Sequence, residues 1–188
     1  MRRVVKVGGS LLTQPDLVAT LTRWFLEQPI AENVVIVGGG GLIDAIRRLD
    51  AVRPGDPAEV HWRCVDLLQA TSRTFHDWFS SWEFIETADQ LQRRQRDGFS
   101  QTQPTLVDVI SFYRRGGDDH LPEDWRTTTD AIAALLATRI DADELVLLKA
   151  CDVDKNTSIE HLVATGIVDE AIEDVMNCSI RLRVEKLS

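Results

Sequence analysis

Cysteine is scarce in this chain of 188 residues, and the three present, Cys64, Cys151 and Cys178, lie far apart. No C-x-x-C pair occurs and the count is odd. That excludes a disulfide framework and a structural zinc site, and the thiols read as reduced core filler in a cytoplasmic protein. No stretch approaches the ~20 apolar residues of a membrane span. The start runs directly into Val4-Val5-Lys6-Val7, without a leader-like apolar segment. Positive charge is also short. Lys and Arg number 21 against 30 Asp and Glu, a net charge of −9. A nucleic-acid binder carries a basic face, so nucleic acid is not the expected partner.

What is present is an ordinary globular composition, 44% hydrophobic and 27% charged. Such usage, over this length, suits one domain spanning residues 1–188. Apolar runs at Arg3–Val7 and Asn33–Val37 read as buried strands, each followed at once by glycine. Leu17, Leu21, Trp24 and Phe25 share a helical face between them, and Leu42, Ala45, Ile46 and Leu49 share another. Alternating strands and helices imply an α/β protein, an αβα sandwich with a mostly parallel sheet. Further along, 59–79 reads as a long helix. Phe84–Ile85 and Thr105–Val109 read as short strands, and Gln90–Thr102 as a polar exposed stretch. Thr127-Thr128-Thr129-Asp130 starts a helix carrying Ile132, Leu135, Leu136 and Ile140. Glu144–Leu148 is a strand, Val168, Ala171, Ile172 and Val175 form a helical stripe, and Ser179–Val184 is a last strand.

Two strand–glycine junctions carry the chemistry: Lys6-Val7-Gly8-Gly9-Ser10 and Gly38-Gly39-Gly40-Gly41. Glycine lets a backbone turn sharply and approach a ligand, and a helix start offers free N–H groups and a positive dipole end. Phosphate suits such a place. No G-x-x-x-x-G-K-[ST] string exists, so this is not a P-loop. The dinucleotide fingerprint G-x-G-x-x-G also fails: counted from Gly38 its third position is Ile43, and from Gly39 it is Asp44. An NAD-dependent oxidoreductase is therefore disfavoured. Lys6 points an ammonium toward whatever the glycines cradle. Asp130, in the first turn of its helix, either caps that helix or orients a lysine or Mg²⁺. His61, His76, His120 and His161 lack metal-ligand spacing, and no protein metal site is expected.

The order Lys-x-Gly-Gly-Ser, strand-Gly-Gly-Gly-Gly, Thr-x-Asp-x-x-Ala-x-x-x-Ala and strand-Lys-x-x-Asp resembles the amino acid kinase superfamily, which includes acetylglutamate, aspartate and uridylate kinases. The match runs from Lys6 to about Asp154. His61-Trp62, 125–136 and Leu147-Leu148-Lys149 resemble a branch that phosphorylates an (aminomethyl)furanmethanol phosphate in methanofuran biosynthesis. The resemblance implies transfer of the γ-phosphoryl group of Mg-ATP to an oxyanion of a small phosphorylated substrate, in a cytoplasmic homo-oligomer. It makes Lys6, Asp130 and Lys149 catalytic, and places Gly8, Gly9, Ser10, Lys149, Asp152 and Asp154 at the nucleotide. Gly38, Gly39, Gly40 and Gly41, with His61, go to the acceptor. Here Val153-Asp154 is followed by Lys155-Asn156 instead of the family's glycine, and the second catalytic lysine is either Lys149 or Lys155. Other readings are a non-catalytic anion- or nucleotide-binding protein for storage or regulation, and a kinase for an amino-acid carboxylate or UMP.

Overall fold

A computed structural model describes residues 1–119, 121–153, 157–177 and 179–188, with the side chain of Glu173 excluded. Six strands form one parallel sheet: β1 Arg2–Val7, β2 Glu32–Val37, β3 Glu83–Ile85, β4 Thr105–Val107, β5 Glu144–Lys149 and β6 Arg181–Lys186, in the order β3-β4-β2-β1-β5-β6. The order steps outward on both sides of β1, so β1 marks a switch point. In such sheets, ligands bind in the crevice at the carboxyl ends of the strands. The central strands are buried on both faces, which explains their unbroken apolar runs.

Helices cover both faces: α1 Leu17–Glu27, α2 Gly41–Val52, α3 Pro57–Trp78, α4 Ala88–Asp97, α5 Thr129–Arg139, α6 Ile159–Ala164 and α7 Ile172–Val175. The strands' period of two divides the core. Val4, Ile36, Val107, Leu145 and Leu147 pack beneath α5, while Val5, Val7, Val35, Leu106 and Leu148 pack against Leu17, Leu21 and Trp24 of α1. Every residue of α5 from Thr129 to Ala137 is buried; a helix apolar all round belongs inside the fold.

Two expectations need correction. The polar stretch from Gln90 is largely helix α4, started by a capping box in which Thr87 and Gln90 bond each other's backbone N–H. Only Leu91 of this helix is buried, so its apolar period is too thin to notice. The stripe from Val168 to Val175 is helical only at Ile172–Val175, and α6, capped by Ser158, was not anticipated. The long helix α3 starts at Pro57, where Asp56 accepts from the Glu59 N–H at 3.1 Å.

Candidate active site

Alternation along β1 and β5 aims two lysines at one place. Val4 and Lys6 share a face, as do Leu145, Leu147 and Lys149, and Lys6 pairs in register with Leu147. Both ammonium groups therefore emerge beneath the first turn of α5, where Asp130 stands. Lys6 Nζ lies 2.8 Å from Asp130 Oδ1, and Lys149 Nζ donates to Oδ2 at 2.5 Å. The Lys6 contact is an ion pair outside good hydrogen-bond geometry, which leaves Oδ1 without a well-angled partner. Lys6 and Asp130 are buried, Lys149 partly so. Burial pushes the Asp130 carboxyl up, but the two ammonium groups pull harder and hold it below its ordinary value. Burial and the Lys6 charge hold Lys149 below an ordinary lysine, against the pull of Asp130. Asp130 is thus the clamp between two cations and does not cap its helix.

The cap comes from Asp169, a residue the sequence reading missed. Its carboxylate accepts from the Thr128 N–H at 2.9 Å, from the Thr128 hydroxyl at 2.7 Å and from the Ala131 N–H at 3.2 Å. Nothing in the sequence marks it, because the partner segments lie about forty residues apart.

The two glycine loops pack on each other at the same edge. A Cβ on Gly9 would lie 2.1 Å from Gly40 N, one on Gly38 2.7 Å from Gly9 N, and one on Gly39 2.0 Å from Ile43 Cγ1. Gly40 also has a positive φ of 52°. Loop-on-loop contact thus demands glycine at several of these positions. A Cβ on Gly41 would meet nothing within 4 Å outside its own helix backbone. Gly41 opens α2, whose first N–H groups have no partner within the helix. Ser10 is exposed on the short 3-10 turn after Gly9.

Beside this centre is a small cleft of about 40 Å³, lined among others by Ile43, His61, Leu68, Trp125, Thr127 and Ile132. His61 is buried, with Nε2 2.8 Å from the Tyr113 hydroxyl. Burial holds its pKa down despite nearby Asp124 and Glu123, so it lines the cleft as a neutral ring. The Thr127 hydroxyl is buried without a partner. Trp125 closes one wall, its indole N–H on Asp50 at 2.8 Å and the Arg47 guanidinium over its ring. Arg47 is therefore engaged in packing. Asp152 is exposed and paired with Lys186 at 2.9 Å. Asp154, Lys155, His120 and Cys178 lie outside the described residues.

A parallel α/β sheet with glycine loops and a Lys–Asp–Lys clamp at its switch point defines the class. Residues 1–177 match the amino acid kinase family, and the chain belongs to it. No curated protein matches the chain. Among solved structures it is similar to a UMP kinase from Ureaplasma parvum at TM-score 0.65 and 12% identity, over 100% of this chain and 90% of that one. A uridylate kinase from Archaeoglobus fulgidus gives TM-score 0.63 and 16% identity over 99% and 91%. An aspartate kinase from Synechocystis gives 0.64 and 16% over 99% and 38%. These likenesses bear on the fold, which is the αβα arrangement expected. No helix among the described residues is long and apolar enough to cross a membrane.

Proposed function

We propose that the chain is an ATP-dependent kinase that moves a γ-phosphoryl group to an oxyanion of a small metabolite. Membership of a kinase family supports a phosphotransferase. The observation that carries the reading is the buried Lys6–Asp130–Lys149 clamp at the carboxyl edge of the sheet. Phosphoryl transfer asks a protein for little covalent chemistry and much positioning and charge neutralisation. Two ammonium groups fixed by one carboxylate fit that demand. The glycine seam fits phosphates for a separate reason: its end at Gly41 is open, and the unpaired N–H groups of α2 lie there.

Mg-ATP, when bound, supplies the phosphoryl group and a leaving diphosphate. Lys6 neutralises charge between the groups that part. Gly9 and Ser10 donate backbone N–H groups to the nucleotide phosphates, while Gly8, its own N–H held by the Leu148 carbonyl at 2.9 Å, keeps the turn close to them. Lys149 approaches from the other side, and Asp152 and Asp154 follow it in the sequence. Gly38 to Gly41 hold the reacting group of the acceptor, and the cleft beside His61 seats its body. Among the described residues no cluster of His, Cys, Asp or Glu could hold a metal ion, so Mg²⁺ is taken to enter with the phosphates.

The acceptor we propose is a phosphomonoester such as (aminomethyl)furanmethanol phosphate, giving a diphosphate. The mostly apolar cleft with its unpartnered Thr127 hydroxyl suits the flat furan ring and its ring oxygen. Coupled ADP release with Mg-ATP tests this. The furan phosphate is expected to show higher kcat/KM than UMP, aspartate or glutamate. A higher value for any of those three overturns the acceptor assignment, and no ADP with any acceptor overturns the kinase reading in favour of a binding protein.

A further inference from the structure

Asp169 sits on the connection from α6 to α7. It accepts from the Thr128 and Ala131 N–H groups and from the Thr128 hydroxyl. Those N–H groups are the unpaired donors of the first turn of α5. Neither Thr128 nor Asp130 caps the helix with its own side chain. The start of α5, and with it Asp130, is therefore anchored by a carboxylate from a distant segment.

A neutral Asn or Ser caps a helix about as well, so capping alone does not explain a charge here. An ionised group in this place is unfavourable: burial, and then the Asp130 charge, push the Asp169 carboxyl up. The lysines account for it. Two buried ammonium groups face one Asp130, and unpaired buried charge is costly. Asp169 supplies the second counter-charge, and its field favours the charged form of Lys149. Among the described residues, the other charged groups around Lys149 are Lys6 from β1 and Asp130 from α5. On β6 its register partner Lys186 is already tied to Asp152.

We propose that Asp169 is a positioning residue for the phosphoryl-transfer centre: it fixes Asp130 between Lys6 and Lys149 and keeps Lys149 charged. The catalytic half rests on the kinase reading. The ion-cluster half does not, and the test separates them.

The chain has only four lysines, Lys6, Lys149, Lys155 and Lys186, so ¹³C-lysine NMR can follow Lys149 in the full chain without substrate. In Asp169→Asn, the Lys149 titration is expected to move to lower pH, since a counter-charge is gone. The alkaline limb of kcat should move the same way. kcat itself should fall about 10²-fold, as for a misplaced catalytic group, with KM for ATP nearly unchanged. Thr128→Val keeps the charge and removes one hydrogen bond. It should lower kcat less and leave the Lys149 titration in place. A folded Asp169→Asn protein with unmoved Lys149 titration overturns the proposal. If that variant does not fold, an unchanged kcat in Thr128→Val overturns it. A wild-type chain without turnover, whose Lys149 still shifts in Asp169→Asn, overturns the kinase reading and leaves the ion cluster standing.

Discussion

At the scale of single residues, the clamp makes Lys6 and Asp130 interdependent. Lys6→Ala removes a charge stabiliser, and kcat is expected to fall roughly 10²–10³-fold. Burial adds a second effect. Lys6 lies in the central strand against a buried carboxylate, so its loss also lowers thermal stability. Asp130→Asn keeps the shape but leaves two buried ammonium groups with one fewer counter-charge. Both turnover and melting temperature should drop, whereas a capping residue replaced by Asn would keep both. Steady-state kinetics with a thermal melt on the same preparations checks this.

Asp108 offers a different residue-scale prediction. It is fully buried at the end of β4, and neither carboxylate oxygen has a well-formed hydrogen bond. Burial pushes its pKa up to about 6 from 3.8. The folded state therefore holds this proton to higher pH than the unfolded chain. Stability is unaffected below about pH 4, falls as pH rises from there through 6, and carries the full penalty above. The gap corresponds to roughly 3 kcal/mol at most. Asp108→Asn is expected to raise the melting temperature at pH 8 and to leave it nearly unchanged at pH 4. Equal shifts at both pH values contradict the assignment.

Among elements, the glycine seam sets the sharpest contrast. A methyl group at Gly9 would drive into the Gly40 backbone. Gly9→Ala should cost several kcal/mol or prevent folding, beyond the ~1–3 kcal/mol of ordinary overpacking. Gly41→Ala meets nothing and gains helix propensity of up to ~1 kcal/mol, so its melting temperature should hold or rise. Chemical denaturation of both variants reads the difference. The strands beside these glycines were legible in the sequence because doubly buried parallel strands are continuous apolar runs. Lys6 and Asp130 were legible as well, each standing at a strand–glycine or helix-start junction. Helix α4 was not, since one buried leucine sets no period, although Thr87-x-x-Gln90 held its start signal. Asp169 was illegible for a deeper reason: its partners are adjacent only after the sheet closes. The contact between the two glycine loops was illegible too, because sequence alone does not reveal that they touch.

For the molecule as a whole, the sheet order brings β1 and β5 together at the switch point, so residues 6, 130, 149 and 169 meet although they span most of the chain. Acidic side chains dominate the composition at a net charge of −9. An anionic substrate therefore depends on this local arrangement of cations and free N–H groups. The account predicts direct, acceptor-dependent transfer with no phosphorylated enzyme. The most direct measurement is ³¹P NMR of the wild-type chain with Mg-ATP and (aminomethyl)furanmethanol phosphate, alongside Lys6→Ala. The predicted result is loss of the γ-phosphorus signal matched by appearance of a new diphosphate on the acceptor, at a rate roughly 10²–10³-fold lower in the variant. An unchanged ATP spectrum with every phosphomonoester and carboxylate offered, or equal transfer by Lys6→Ala, would contradict it.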